Sequence, residues 1–150
     1  FCPVGQLMDA GINVALGTDG AASINDLDLF GELKTAALLA KAVSGDPCAL
    51  NAHAALRMAT INGAKALGWD HEIGSLESGK SADIIAVKMD SIPQQPLYNP
   101  ESQLVYTNVG HRVSHSWVAG KPLMAESELL TLNRQSLIQT ACDWRNKLSS

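Results

Sequence analysis

A short apolar run that breaks off at a carboxylate constrains this chain more than any other feature. Ile12, Val14, Ala15 and Leu16 form a nearly continuous apolar stretch, and Gly17-Thr18-Asp19-Gly20 ends it. Such a run reads as a parallel strand buried on both faces. A strand of that kind needs neighbours to satisfy its backbone groups, and nothing upstream of it, in Phe1 to Gly11, supplies one. The chain is therefore expected to be the C-terminal part of a longer protein. Asp19 falls at the carboxyl end of the strand, where parallel α/β folds gather ligands and catalytic groups. Gly17 and Gly20 leave room beside it for a metal, a water or a substrate. Asp-Gly is also a common turn dipeptide, so spacing alone leaves two readings open: a functional carboxylate or a plain turn.

Composition narrows the classes around that segment. A chain of 150 residues is long enough to bury roughly 70% of its unfolded surface in one core. Its formal charge of −4 comes without any stripe of Lys and Arg, which argues against a nucleic-acid partner. No apolar run approaches the ~18 residues of a membrane helix. Cys2, Cys48 and Cys142 are odd in number and far apart; they are expected to be reduced, buried small hydrophobes of a cytoplasmic, soluble protein.

Residues 3–10 read as the tail of a helix stopping at Gly11. A second helix is expected from an N-cap at Asp26 to about Val43, with Phe30, Leu33, Ala37 and Ala40 at helical spacing. Cys48 to Leu67 reads as two short Ala-rich helices, because Gly63 weakens a single one; Thr60 caps the second and Gly68 closes it. After Gly68 the pattern turns to short strands. A strand and tight turn are expected over Ile73 to Lys80, and strands over Ala82 to Val87, Leu104 to Thr107, Val113 to Ala119 and Leu123 to Ala125. Leu132, Leu137, Ile138, Ala141 and Trp144 mark a terminal amphipathic helix over 131–148. This order suggests an α/β segment, residues 1–68, feeding a small β domain, residues 69–150.

Four stretches together carry a resemblance: Gly17-Thr18-Asp19-Gly20-Ala21-Ala22-Ser23, Ala64-Lys65-Ala66-Leu67-Gly68, Gly74-Ser75-Leu76-Glu77-Ser78-Gly79-Lys80-Ser81-Ala82-Asp83, and Val118-Ala119-Gly120-Lys121. Over nearly its whole length the chain resembles the C-terminal third of an amidohydrolase-superfamily metal-dependent hydrolase. Within that superfamily it is most similar to the 5-methylthioadenosine/S-adenosylhomocysteine deaminases, in the group that also holds the triazine hydrolases. The Gly74–Asp83 element is shared across many amidohydrolases. The Thr18–Ser23 run, with Asn25, Leu27, Asp28 and Phe30, points more narrowly to the adenosine-type deaminases.

The resemblance implies an α/β fold: the last part of a (β/α)8 barrel followed by part of a small β sandwich and a terminal helix. Residues 11 to 19 become the eighth barrel strand. Asp19 becomes a ligand of the catalytic Zn²⁺ and the group that shuttles a proton from the attacking water to the bound nucleoside. Ser23 aligns with a residue near the purine or ribose. Ile24 stands where relatives often have Asn, so no polar contact is expected from it. The implied enzyme is a homo-oligomer acting on a small nucleoside, with neither nucleic acid nor membrane as a partner.

The chemistry agrees with these assignments. Deamination of an aminopurine needs a hydroxide-strength nucleophile near neutral pH, which a zinc-bound water with a pKa of about 7 provides, and a neighbouring carboxylate can accept and return its proton. A catalytic zinc needs about three protein ligands, usually including histidines. His53, His71, His111 and His115 are expected on a helix, in a turn and along a strand; residues four apart on a strand lie roughly 13 Å apart, too far to share one ion. The isolated chain is expected to lack a complete metal centre. Two alternatives remain: another amidohydrolase acting on a triazine, guanine or similar heterocycle, and a noncatalytic α/β interaction module in which Asp19 only turns the chain.

Overall fold

The computed structural model describes residues 1–148, a mixed arrangement of helices and one antiparallel sheet. Helices α1 (Val4–Asp9), α2 (Leu29–Ser44), α3 (Ala52–Met58) and α4 (Ile61–Leu67) come first. Strand β1 (Ile84–Val87) and helix α5 (Pro100–Tyr106) follow, then β2 (Val113–Val118), β3 (Lys121–Ala125), β4 (Glu128–Leu129) and helix α6 (Arg134–Leu148).

The core lies where α2, α3 and α5 meet. Leu33, Ala37, Leu50, Ala52, Ala55, Met58 and Val105 form it, and Val14 and Leu16 pack against its edge. Leu33 and Ala37, one helical turn apart, face inward as their spacing requires. The apolar period of the sequence thus fixes which face of α2 is buried. Asp28, not Asp26, caps α2, its side chain accepting from the Phe30 N–H; the Asp26 carboxylate instead accepts from the Asp28 N–H at 3.5 Å. The break between α3 and α4 falls at Ala59–Thr60. Thr60 occupies the cap position of α4, but its hydroxyl donates back to the Leu56 carbonyl at 2.7 Å. Gly68 closes α4 with φ 73°, a left-handed conformation that costs glycine little.

The sheet runs β1-β2-β3-β4, each pair antiparallel. Ile84 lies opposite Trp117 and Ala86 opposite His115. Beside β1 an open apolar groove of about 730 Å³ separates the sheet from the helices, lined by Phe30, Leu56, Ile73, Ile84, Met89 and Leu104 among others.

Several expectations are corrected. Leu104 to Thr107 is not a strand but the last turn of α5: Asn99 caps that helix and Pro100 starts it, and Val105, at helical rather than alternate spacing, is fully buried at 0% exposure. Ile73 to Lys80 contains turns and no strand, because its side chains bond to one another and to nearby backbone, as described below. Cys2 and Cys48 are exposed and Cys142 half-buried; Cys48 sits in the turn after α2, its N–H donating to the Asp46 carboxylate at 2.8 Å. Residues 12–20 form no regular element, and among the described residues no strand pairs with them. A ladder needs a partner, and the helices offer only isolated backbone groups. The terminal helix forms, but its apolar stripe faces solvent: Ile138 is 56% and Trp144 58% exposed.

Candidate active-site segment

The segment bearing Asp19 owes its place to α3 and α4. Val14 and Leu16 pack on the core edge, and the Leu16 N–H donates to the Met58 carbonyl at 3.0 Å. Asn13 and Asn62 exchange hydrogen bonds with each other's neighbourhood: Asn13 Nδ2 donates to the Asn62 carbonyl, and Asn62 Nδ2 to the Val14 carbonyl, each at 3.0 Å. Sequence reading missed both asparagines. The available signal was Asn13 itself, a polar residue inside an apolar run.

Asp19 ends the segment in the left-handed region, φ 60°, a conformation that Asp tolerates better than most residues and that recurs at functional sites. The Gly20 N–H donates to its Oδ1 at 2.7 Å; Thr18 Oγ1 donates to its backbone carbonyl at 3.0 Å. Oδ2 takes no hydrogen bond from any described residue. The carboxylate is exposed, and a Cβ at Gly17 or Gly20 would meet nothing within 4 Å, so both flanks of Asp19 are open. The chain then folds into a turn in which the Ser23 and Ile24 N–H groups reach the Gly20 carbonyl at 2.9 and 3.2 Å. Ser23 is exposed on that turn. Neither Asp19 nor Ser23 lines the apolar groove.

The histidines are dispersed. His53 pairs with Glu101 at 3.0 Å across α3 and α5, and His71 sits 3.5 Å from Glu72. His111 lies in the short turn before β2. His115 stacks on Trp117, with centroids 5.4 Å apart, and faces Glu126 at 3.6 Å. Among the described residues no three His, Cys, Asp or Glu side chains gather to hold a metal. A tetrahedral zinc site needs several such donors. These residues therefore do not make a zinc site by themselves, and the segment offers one carboxylate.

The Gly74–Asp83 element is a fastener rather than a site. Gly74 presses on α4 so closely that a Cβ there would lie 2.8 Å from Ala64 Cβ. Lys80 Nζ reaches back to the Asp70 carbonyl at 2.5 Å and to Ser75 Oγ at 2.6 Å. The Ser75 hydroxyl donates to Glu77 at 2.5 Å; that bond, then the hydrogen bond and charge of Lys80, hold the Glu77 carboxyl below its ordinary range. Asp83 accepts from the Ala119 N–H at 2.6 Å, tying β1 to the turn between β2 and β3.

Residues 1–123 match the profile of the Amidohydrolase family. The chain belongs to the amidohydrolase family. It is 55% identical to the 5-methylthioadenosine/S-adenosylhomocysteine deaminase of Teredinibacter turnerae, over 99% of this chain and 34% of that protein. Among solved structures it is similar to an adenosine deaminase from Xanthomonas campestris with bound zinc, with TM-score 0.96 and 46% identity over 99% of this chain and 34% of that one. It is also similar to a zinc-complexed atrazine chlorohydrolase from Arthrobacter aurescens, with TM-score 0.88 and 30% identity over 95% of this chain and 32% of that one. The amidohydrolase chain described here thus spans about a third of the length of the relatives it matches. No helix among its described residues is long and apolar enough to cross a membrane.

Proposed function

We propose that this chain is the C-terminal third of a cytoplasmic, homo-oligomeric, zinc-dependent hydrolase that deaminates 5-methylthioadenosine and S-adenosylhomocysteine to their inosine analogues. The observation that carries the reading is the 55% identity to a deaminase of that name across 99% of the chain. On this reading residues 11–19 are the eighth strand of a (β/α)8 barrel. Residues 1–68 are the end of that barrel, and of 69–150 the strands belong to the adjoining β sandwich while α5 packs back on α2 and α3. Asp19 is one ligand of the zinc ion, whose remaining ligands come from outside these residues.

Water adds to the ring carbon that bears the amino group, and ammonia leaves. The first step moves a proton from the water to the ring nitrogen beside that carbon, and the second moves the added hydroxyl's proton to the departing amino group. The Asp19 carboxylate is suited to both: open on both flanks, carrying one backbone N–H on Oδ1, and with Oδ2 left to take a proton from the water and return it to the purine. Ser23, on the turn that follows, lies toward the nucleoside.

Ammonia release from either nucleoside by the full-length protein, with and without a chelator, tests the proposal. General acid–base groups contribute on the order of 10²- to 10⁴-fold, so Asp19→Asn is expected to lower kcat at least about a hundredfold. Retained turnover would refute the role given to Asp19. The likeness to an atrazine chlorohydrolase supports a second reading, an amino- or chloro-substituted heterocycle as substrate, and a panel of triazines and guanine beside the nucleosides separates the two.

A further inference from the structure

We infer that the sheet is strapped to the helices at both ends of its β1–β2 pair, so that sheet and helices open as one unit and the sheet is not a hinged lid. Two units joined by a single linker move against each other by default. Here the chain crosses between helices and sheet three times, from α4 to β1, from β1 to α5 and from α5 to β2, and each crossing is fastened.

The first crossing holds one end of the strand pair. Gly74 presses on α4 with no space for a Cβ, and the Ser81 N–H donates to the Glu72 carbonyl at 2.8 Å. The Asp83 carboxylate and the Ala82 carbonyl then accept from the Ala119 and Gly120 N–H groups, at 2.6 and 3.1 Å. They catch the chain just past Trp117, which lies opposite Ile84. The other two crossings hold the opposite end, where Val87 faces Val113. The Lys88 N–H donates to the Arg112 carbonyl at 3.0 Å, so the chain leaving β1 and the chain entering β2 run side by side. Between them lies α5, seated on α2 and α3. Val105 and Val109 are fully buried, at 0% and 1% exposure, and Gly110 lies against the Asp28 carboxylate at the cap of α2. Lys34 Nζ donates to Asn108 Oδ1 at 3.2 Å and His53 pairs with Glu101; exposed polar pairs of this kind add little, and the buried valines carry the attachment. The two ends are about 10 Å apart along β1. Turning the sheet about either end therefore drags the other off the helices: a swing about Gly74 unseats Val105 and Val109, and a swing about α5 parts Gly74 from α4.

The test is native-state amide hydrogen exchange of the full-length protein in rising denaturant. The expected result is one shared opening, with the most protected amides of β1 and β2 within about fivefold of those of α2 and α3. Val105→Ala empties part of the seat of α5, and protection is expected to fall about tenfold or more in β1 and β2 as well as in α5. A separate opening of β1 and β2 in the unaltered protein, with protection more than about fivefold below that of α2 and α3, overturns the proposal. So does a Val105→Ala loss confined to α5 and the helices it touches. The first comparison needs no substitution, so it decides the question if Val105→Ala does not fold.

Discussion

Replacing Gly74 by alanine places a methyl group where the fold has no room. The added Cβ would lie 2.8 Å from Ala64 Cβ and 2.9 Å from Ile61 Cα, and a backbone atom in a helix cannot swing aside. Overpacking of this kind costs about 1–3 kcal/mol. Gly74 also has φ +90°, and a side chain in left-handed backbone costs roughly 1–2 kcal/mol more. The sum is about 2–5 kcal/mol, a large share of the ~5–15 kcal/mol that holds a typical domain together. Gly79, five residues on, separates the two contributions: its φ is +94°, yet a Cβ there would meet nothing within 4 Å. Gly79→Ala therefore bears only the backbone cost. Thermal unfolding of the full-length protein should show Gly74→Ala lowering the midpoint at least about twice as far as Gly79→Ala. Equal shifts would refute the claim that this glycine is required by its contact with α4.

Two further outcomes follow from named contacts. A Cβ at Gly110 would stand 2.9 Å from Asp28 Oδ1, the oxygen that caps α2, so Gly110→Ala and Asp28→Ala should each cost about 0.5–2 kcal/mol. The double variant should cost little more than either, and additivity in a double-mutant cycle would show the two to be uncoupled. Glu77 titrates below the ordinary carboxylate range because of Ser75 first and Lys80 second. A folded-state pKa below the unfolded one means that its contribution to stability is present above the unfolded pKa and is lost as pH falls through the folded one. An NMR titration should find the Glu77 midpoint raised toward the ordinary value in Ser75→Ala, and Glu126 likewise in Lys88→Met; an unmoved midpoint would remove the named cause.

What could be read from the sequence was what depends on near neighbours. The stripe through Leu33 and Ala37, the split of residues 52–67 into two helices and the Gly68 stop follow from local periodicity and capping, and the structure has them. So does the β2–β3 hairpin around Ala119-Gly120. Leu104 to Thr107 misled because four residues cannot distinguish a buried helical turn from a strand; Asn99-Pro100, a cap followed by a first-turn proline, was the better signal. Placing the cap at Asp26 rather than Asp28 erred by two residues at a helix end, where alternatives differ by one hydrogen bond. The room that Gly17 and Gly20 leave beside Asp19 was legible. The clamp formed by Asn13 and Asn62 was not, since it joins residues 49 apart and no local pattern records such a pairing. The Trp144 stripe was legible as a helix, but periodicity reports which side chains share a face and not what covers them.

The knot made by Gly74, Lys80 and Asp83 bears on how genomes are searched. A Gly-x-Leu-Glu-x-Gly-Lys-x-Ala-Asp match in a newly read gene certifies that a loop is riveted between a helix and a hairpin, since every polar contact it makes here is spent on architecture. It carries no word about which base, drug residue or pesticide the protein consumes. Catalogues sorted by that signature will therefore group proteins by how they are built, and diet has to be read from residues elsewhere.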